Sequence, residues 1–277
     1  MAQAVEPRRR GMWSPVEGVG HHALAWTRTT SGILAFALIT LRSALRRGPL
    51  SETIRPLTRE QVYRAGVQLL PLTGLVAMML GVVILGQGLV LLDRVGAEAY
   101  VGRIMIGVVV RELAPMAVAM LVLARVGAAH VIELGMARAT GETERFEAAG
   151  TDPLHHLVVP RITGMVVAVF SLTLYFLMVA LASGYGFAFV QNAALTPGEF
   201  GRQLSLALTW QDFPLLAAKS FLFGALIAAT TCYQGLARPL RTEELARVTS
   251  RALVQSVMGC VLVDLVFMAL YMVILAG

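Results

Sequence analysis

Four charged residues stand inside otherwise apolar stretches of this 277-residue chain. Lys219 and Asp264 are each the single charge of a long apolar run, and Arg111 and Glu112 are adjacent within a third run. A charge inside a membrane span is costly unless it has a partner, and such residues commonly mark a substrate path or a proton relay. The chemistry open to these side chains is ion pairing, proton binding or contact with a polar substrate group.

Lys219 and Asp264 form the first candidate pair, because their apolar runs are consecutive and should be antiparallel. Counted from the predicted outer ends, Lys219 lies roughly 9 Å deep and Asp264 roughly 18 Å deep at 1.5 Å per residue. That difference is about two helical turns, which a lysine side chain only partly bridges. Two interpretations stay open: an ion pair near a substrate path or subunit interface, and a structural pair or a lysine that reaches the outer interface.

Arg111 and Glu112 precede Pro115 in the same run. Proline has no N–H to donate to the carbonyl of Arg111, so this carbonyl is predicted to be free and the helix to kink. Adjacent residues face different sides of a helix, so each charge needs its own partner. Further along, Arg125 precedes small residues at 127–129, which permit close helix packing. Arg125 is interpreted either as a ligand for phosphate or carboxylate groups, or as an inner-leaflet anchor.

A short acidic segment follows this run and ends before the next one. Its five acids are Glu133, Glu142, Glu144, Glu147 and Asp152, against two arginines, Arg138 and Arg145. A negatively charged cytoplasmic membrane surface would repel it, which favours a docked protein partner over a solvated loop. Thr140 is predicted to cap a helix over Glu142–Ala149, with Phe146 as its apolar anchor and Gly150 at its end.

Motifs for catalysis are absent from the sequence. There is no GxxxxGK[ST], HExxH or GxSxG pattern, and Lys219 is the only lysine. The chain is therefore predicted to have no catalytic residue and to bind no cofactor itself; if ATP drives it, a separate subunit must bind the ATP. Adjacent histidines such as His155-His156 point about 100° apart on a helix, so no metal site is predicted.

The composition indicates an all-α integral membrane protein. The chain is 57% hydrophobic and 14% charged, whereas soluble domains carry about 25% charged residues. A span takes about 20 apolar residues. Five spans are predicted at about 66–92, 104–132, 162–188, 213–234 and 252–276, with a polar helix at about 140–150. Gly184, Gly186, Asn192 and Pro197 predict that the long third apolar run ends as a loop.

The N-terminal part is predicted to lie outside the spans. Residues 1–25 are interpreted as a flexible basic tail without a signal peptide, and 26–277 as a single domain. Residues 26–47 contain a ten-residue apolar run flanked by arginines, which favours an interfacial helix over a poorly anchored sixth span.

Arginines are concentrated on one side of the predicted spans. Ten precede span 1 and four lie between spans 4 and 5, against two between spans 1 and 2 and one between spans 3 and 4. The positive-inside rule then places the N-terminus and the acidic segment in the cytoplasm, and the C-terminus outside. The net charge of +6 is interpreted in the same way, rather than as a nucleic-acid surface.

The spacing of these residues resembles one protein family. The motifs are Arg111-Glu112-Leu113-x-Pro115, Ala124-Arg125-Val126-Gly127, Glu133-Leu134-Gly135, Arg138-x-Thr140, Glu147-x-x-Gly150-x-Asp152-Pro153 and Pro160-Arg161. A looser similarity over about residues 30–277 includes Gly86-Gln87-Gly88, Lys219 and Leu262-x-Asp264. Together they resemble the MlaE/YrbE permeases of ABC systems that work with MCE proteins.

The resemblance implies a homodimeric permease in the bacterial inner membrane, with its C-terminus in the periplasm. It implies a cytoplasmic P-loop ATPase that binds ATP, a periplasmic MCE-domain protein, and phospholipids or related lipids as substrates, moved between the inner membrane and an outer envelope layer. The expected lipid-path or interface residues are Gln87, Arg111, Glu112, Arg125, Lys219 and Asp264. The expected ATPase-coupling residues are Thr140, Glu142, Glu144, Arg145, Phe146, Glu147, Gly150, Asp152 and Pro153.

The chain departs from the family pattern in the coupling segment. Gly141 stands where the family usually has Glu, and Glu142 where Gln is common. Before Pro115, Ala114 replaces the usual Gly. Glycine inside a helix costs about 1 kcal/mol relative to alanine, and less at a cap, so the coupling helix is still expected to form.

Two other function classes are open at this point. An ion- or proton-coupled secondary transporter would use Asp264 and Glu112 as proton sites and would need no ATPase. A membrane-embedded lipid enzyme would need a reactive cluster near the interface, for which only the histidine pairs are candidates. The permease is the preferred interpretation.

Overall fold

The fold is a bundle of long helices that follow one another along the chain. A computed structural model describes residues 31–40, 42, 54–94, 96, 101–190, 197–237 and 242–276, and no strand occurs among them. The α-helices are α1 (Ser31–Thr40), α2 (Arg55–Ala65), α3 (Leu70–Gly81), α4 (Gln87–Arg94), α5 (Val101–Met105), α6 (Ala114–Val122), α7 (Ala128–Ala139), α8 (Glu142–Ala148), α9 (Val159–Val190), α10 (Pro197–Ala207), α11 (Asp212–Leu236) and α12 (Thr242–Ala276).

Short 3₁₀ and π segments join several of these helices into continuous rods. A 3₁₀ turn at Val67–Leu69 joins α2 to α3, and π segments lie at Val82–Gly86, Ile106–Leu113, Leu123–Gly127 and Leu154–Val158. A π segment holds one residue more per turn than an α-helix and is often found at functional sites. Two of the four π segments lie in the rod from α5 to α7, which carries Arg111 and Glu112.

Five helical stretches are long and apolar enough to cross a membrane, which confirms the predicted number of spans. They are Arg55–Ile84, Gly102–Ala139, Leu154–Phe187, Asp212–Leu236 and Glu243–Val273. Spans 1, 3 and 5 begin about 8 to 11 residues before their predicted starts, because polar and charged helical turns extend these helices beyond the apolar residues themselves.

The end of the third span corrects one prediction. Gly184 and Gly186 lie inside α9, which continues to Val190, so they do not begin a loop. Pro197 starts α10, a helix that the sequence analysis did not predict. Proline is well suited to the first turn of a helix, where its missing N–H has no intrahelical partner to lose.

Span 4 and α9 form the centre of the bundle. Helix α9 packs against α2, α3 and α11, and α11 packs against α7 and α12. The largest fully buried side chains include Phe176 of α9 and Phe223 of α11. Gly81 lets α3 approach α9 closely, since a Cβ atom there would lie 2.2 Å from the carbonyl oxygen of Ala180.

The short apolar helix α1 packs beside the end of span 4. Phe36 makes an edge-to-face contact with Tyr233, with 5.8 Å between ring centroids, while Leu34, Leu38 and Ile39 are exposed. An exposed apolar face on a helix too short to span fits the predicted interfacial helix. The predicted tail, residues 1–25, and the remainder of 26–47 apart from Arg42 lie outside the described residues.

Candidate functional site

Lys219 is the centre of a charged cluster between spans 2, 4 and 5. Its side chain is 0% exposed, and its Nζ atom lies 2.8 Å from Glu112 Oε2 and 2.6 Å from Asp264 Oδ1. It also donates a hydrogen bond to the carbonyl oxygen of Arg111 at 2.8 Å. The ammonium thus donates two hydrogen bonds, to the Arg111 carbonyl and to Glu112, and is in ion-pair contact with Asp264, which compensates for the burial of its charge.

Pro115 explains why the carbonyl of Arg111 accepts this bond. Proline cannot donate to the carbonyl four residues before it, and Lys219 supplies the missing donor. The sequence predicts the free carbonyl but not its partner. It also predicts that Lys219 and Asp264 lie about two turns apart in depth. The two side chains nevertheless meet, with 2.6 Å between Lys219 Nζ and Asp264 Oδ1.

Arg111 has a separate partner at the start of span 4. Its Nε donates to Asp212 Oδ1 at 2.8 Å and its Nη2 to Asp212 Oδ2 at 3.3 Å, a two-point contact. The backbone N–H of Thr209 donates to Asp212 as well, and the guanidinium lies 5.0 Å from the ring centroid of Tyr271. Arginine suits this site because its planar fork matches a carboxylate and stacks on an aromatic ring.

Asp212 is a member of the cluster that the sequence analysis missed. It is the first residue of α11, one position before the predicted start of span 4, and was therefore counted with the loop. Its side chain is only 4% exposed. The signal that could have identified it is an acid immediately before an apolar run, opposite an unpaired arginine in the neighbouring span.

The cluster has more carboxylates than cations and is open on one side. Lys219 and Arg111 face three acids, Glu112, Asp264 and Asp212. The side chains of Glu112 and Asp264 are 33% and 26% exposed, although Lys219 between them is fully buried. These two carboxylates can therefore accept hydrogen bonds from a molecule outside the bundle while the lysine holds them in place.

Gln87 and Arg125 lie apart from this cluster. Gln87 is exposed at the start of α4, after a π segment of span 1. Arg125 is exposed on span 2, 13 residues after Glu112, which is roughly 20 Å along the helix. No hydrogen bond or ion pair joins either residue to the cluster in the described part of the chain. Gly127, in contrast, contacts span 4 closely, since a Cβ atom there would lie 3.3 Å from Thr231.

The coupling segment forms α8, which is shorter than the predicted helix at 140–150. Gly141 occupies the N-cap with a positive φ of 72°, a left-handed conformation that glycine adopts readily. Thr140 does not cap α8, which corrects that prediction; its hydroxyl donates to the carbonyls of Met136 and Ala137 instead. The N–H of Thr140 also donates to the carbonyl of Met136, so Thr140 closes the last turn of α7 with both its backbone and its side chain.

Gly150 ends α8 as predicted. Its φ is 71°, and the N–H groups of Gly150 and Thr151 donate to the carbonyls of Glu147 and Phe146. This is the usual arrangement of a helix that stops at a left-handed glycine. Asp152 Oδ1 then accepts a hydrogen bond from the N–H of Leu154, and Pro153 starts the next helix, so these two residues fix the beginning of span 3.

The acids of α8 are exposed, and an aromatic contact anchors the helix. Glu142, Glu144 and Glu147 are exposed, and the hydroxyl of Thr143 donates to Glu144 at 2.8 Å. This hydrogen bond lowers the pKa of Glu144 below its ordinary value. Phe146 stacks at an angle on His156, with ring centroids 5.3 Å apart. The exposed Arg145 is the one basic residue of this helix.

Glu133 does not belong to the acidic segment. It lies within α7 and forms ion pairs with Arg64, at 3.2 Å, and with Arg161, at 3.0 Å. It therefore ties spans 1, 2 and 3 together and is already satisfied by the protein. Arg138 serves a related purpose, since Nη1 donates to the carbonyl of Leu236 at the end of α11.

Comparison with known proteins shows one consistent family. The model of the family described as Permease MlaE matches residues 58–270. The chain is 25% identical over 217 residues to the intermembrane phospholipid transport system permease protein MlaE of Haemophilus influenzae, covering 78% of this chain and 82% of that protein. It is 29% identical over 203 residues to a probable ABC transporter permease protein of Synechocystis sp., covering 73% and 76% of the two chains.

A plant protein is similar over the same region. The chain is 26% identical over 221 residues to Protein TRIGALACTOSYLDIACYLGLYCEROL 1, chloroplastic, of Arabidopsis thaliana. The match covers 77% of this chain and 61% of the plant protein.

Proposed function

Because the chain belongs to the MlaE permease family, we propose that it is the membrane-spanning subunit of an ABC transporter that moves phospholipids between the inner membrane and an outer envelope layer. The observation that carries this proposal is the family match over residues 58–270, which includes the whole charged cluster and α8. The name of the Haemophilus relative, an intermembrane phospholipid transport permease, supports the substrate class.

The charged cluster supports a role in the lipid path. Glu112 and Asp264 are partly exposed on the bundle surface and are held by the buried Lys219. A polar headgroup passing this point would meet fixed carboxylates instead of hydrocarbon. Gln87 is exposed at the start of α4, just beyond the end of span 1, and is proposed to line the same path. Fixing a constellation on long helices, rather than on loops, holds its geometry closely.

Helix α8 is proposed to receive the motion of a cytoplasmic ATPase. Only Thr140 and Gly141 separate α8 from α7, and the rod from α5 to α7 continues to Arg111 and Glu112. A displacement of α8 would therefore be carried along span 2 to the charged cluster, and through the contact of Phe146 with His156 to span 3. The exposed acids of α8 fit a groove with basic residues.

The remaining partners are proposed from the exposed surfaces and the family. Only 17% of the apolar window of span 5 and 28% of that of span 1 is buried, against 61% for span 4. Spans 1 and 5 are thus the faces open to lipid or to a second copy, as expected for a homodimer with a lipid cavity between subunits. An MCE-domain protein is proposed to bind on the periplasmic side.

A proton-coupled secondary transporter remains the alternative from the sequence, and it would use Glu112 and Asp264 as free proton sites. Both carboxylates instead contact the ammonium of Lys219, so each is engaged in an ion pair between spans. The relatives are named as permeases of ABC transporters, which agrees with an external energy source.

The test is purification of the tagged chain from its native membrane in mild detergent, with identification of bound proteins and lipids by mass spectrometry. We expect a P-loop ATPase, an MCE-domain protein and phospholipid to be recovered. A double charge reversal in α8, Glu144→Arg with Glu147→Arg, should reduce the amount of ATPase recovered with the chain at least tenfold, because these acids are exposed.

The matched control is a double reversal of the first-turn acids of α12, Glu243→Arg with Glu244→Arg. These acids are predicted to lie on the same side of the membrane, so a general charge effect would weaken both variants equally. Equal ATPase recovery from all three proteins would contradict the coupling role of α8. Recovery of the chain alone, without ATPase or phospholipid, would contradict the proposed function.

A further inference from the structure

A polar cleft lies between spans 1 and 2, on the side of the membrane where α8 lies. Its volume is about 370 Å³, and the polar side chains that line it are Gln61, Arg64, Gln68, Arg125, His130 and Glu133. Arg125 lies roughly 20 Å along span 2 from Glu112, so the cleft is separate from the charged cluster. A pocket of this kind inside two apolar spans requires a physical explanation.

Arg125 is the residue that most needs a partner. It is exposed, and no hydrogen bond or ion pair connects it to any other described residue. It lies eight residues before Glu133 on the same rod, which is roughly 12 Å further into the membrane. An arginine at such a depth normally pairs with an anion or extends to the headgroup region. The described protein atoms supply no anion for it.

The other lining groups are mostly hydrogen-bond donors or are already paired. Glu133 is shared between Arg64 and Arg161, and Arg64 also contacts Glu60. Two arginines, Arg64 and Arg125, therefore line the cleft against one acid, Glu133, which Arg64 shares with Arg161. The amide of Gln68 is exposed beside them.

His130 provides a second, independent observation. Its side chain is only 2% exposed, its Nε2 lies 3.2 Å from Gln61 Oε1, and its Nδ1 has no hydrogen-bond partner. Buried polar atoms are nearly always paired with protein or with another molecule. An unpaired ring nitrogen in the wall of the cleft thus points to a ligand or its bound water.

We propose that this cleft binds the phosphate group of a glycerophospholipid from the leaflet on the α8 side. Arg125 and Arg64 would hold the phosphate oxygens, which arginine contacts at two points, and the amides of Gln61 and Gln68 would complete the site. The acyl chains would lie along the exposed apolar side chains of span 1, such as Leu72 and Leu75. The proposal rests on the proposed function only in that the chain spans a phospholipid membrane, and it does not require ATP-driven transport.

The experiment is a lipid titration of the purified full-length chain in detergent, followed by native mass spectrometry. The probes are phosphatidylglycerol, a diacylglycerol with the same acyl chains, and inorganic phosphate as a competitor. Because no ATP is present, the result does not depend on whether the chain works with an ATPase. The variants are Arg125→Ala and Arg125→Lys, with Arg59→Ala as the control. Arg59 is exposed on the same helix as Arg64 but does not line the cleft.

We expect the first phosphatidylglycerol molecule to bind about tenfold more weakly to Arg125→Ala, as the loss of one charge-assisted contact predicts. Arg125→Lys should retain part of the affinity, since it keeps the charge but loses the planar fork. Arg59→Ala should bind like the unmodified chain, and diacylglycerol should not bind at this site. If Arg125→Ala is poorly folded, the phosphatidylglycerol affinity of Arg125→Lys is compared with that of Arg59→Ala instead.

Three results would overturn the proposal. The first is equal phosphatidylglycerol binding to all variants. The second is displacement of the lipid by millimolar inorganic phosphate, which would identify a site for soluble anions. The third is a change from dimer to monomer in Arg125→Ala with unchanged lipid binding, which would assign Arg125 to an interface between copies.

Discussion

At the scale of single residues, one buried lysine holds together the charged cluster between spans 2, 4 and 5. Lys219 contacts two carboxylates from different spans and also donates to the carbonyl that Pro115 leaves without a donor. Removing one member of a buried charged group is far more destabilising than replacing the whole group by neutral residues, because the remaining charge has no compensation.

This asymmetry gives the first prediction. Lys219→Met should destabilise the protein by about 3–5 kcal/mol, the usual cost of breaking a buried pair, and abolish lipid transport. The triple variant Glu112→Gln, Lys219→Met, Asp264→Asn should recover most of the stability and none of the transport. Thermal unfolding in detergent and a lipid-transfer assay measure the two effects. A Lys219→Met protein as stable as the unmodified chain would contradict the ion-pair assignment, and the exposed Glu243→Gln serves as the control.

At the scale of elements, the turn between α7 and α8 decides how motion could pass into the membrane. Thr140 closes the end of α7, and Gly141 starts α8 in the left-handed conformation. The glycine that the sequence analysis treated as a small cost therefore suits its position, since any residue with a Cβ is strained there.

The second prediction concerns this turn. Gly141→Ala should cost about 1–2 kcal/mol locally, the penalty of a left-handed conformation, while Gly141→Asn should cost less. Faster hydrogen exchange of the amides at 142–149 and weaker ATPase recovery would report the loss. Gly198→Ala is the control, because a Cβ atom at that helical position meets nothing within 4 Å. Equal exchange in Gly141→Ala and the unmodified chain would show that the turn is not strained.

At the scale of the whole molecule, burial distinguishes the central span from the outer ones. Span 4 is mostly enclosed, while spans 1 and 5 present apolar faces outward. Arg64 pairs with Glu133 at the end of the bundle where α8 lies, and the positive-inside rule, applied to the arginines of the sequence, assigns that end to the cytoplasm. The orientation remains a prediction that accessible cysteines can test.

The third prediction uses the two native cysteines, which are fully buried and should give little background. Ala149→Cys and Gln211→Cys place thiols at exposed positions on opposite ends of the bundle. A membrane-impermeant maleimide should label Gln211→Cys in intact spheroplasts and Ala149→Cys only after lysis. The reverse pattern would show that the chain has the opposite orientation in the membrane. Labelling of the unmodified chain measures the background.

The sequence alone was sufficient for the features that depend on local composition. The number of spans follows from apolar length, the end of α8 from Gly150, and the free carbonyl of Arg111 from Pro115, because each depends on residues that are neighbours along the chain. The family was also recognisable, since its motifs are short and lie close together.

Only the tertiary structure decided which charges meet. Lys219 contacts Glu112, which is 107 positions away, and Arg111 contacts Asp212, which is 101 positions away. Such contacts depend on helix ends and on the rotation of each helix, and the π segments at Ile106–Leu113 and Leu123–Gly127 shift that rotation away from a regular 3.6-residue period. Glu133 shows the same limit, because a residue that looks like part of an acidic loop is paired by arginines from two other spans.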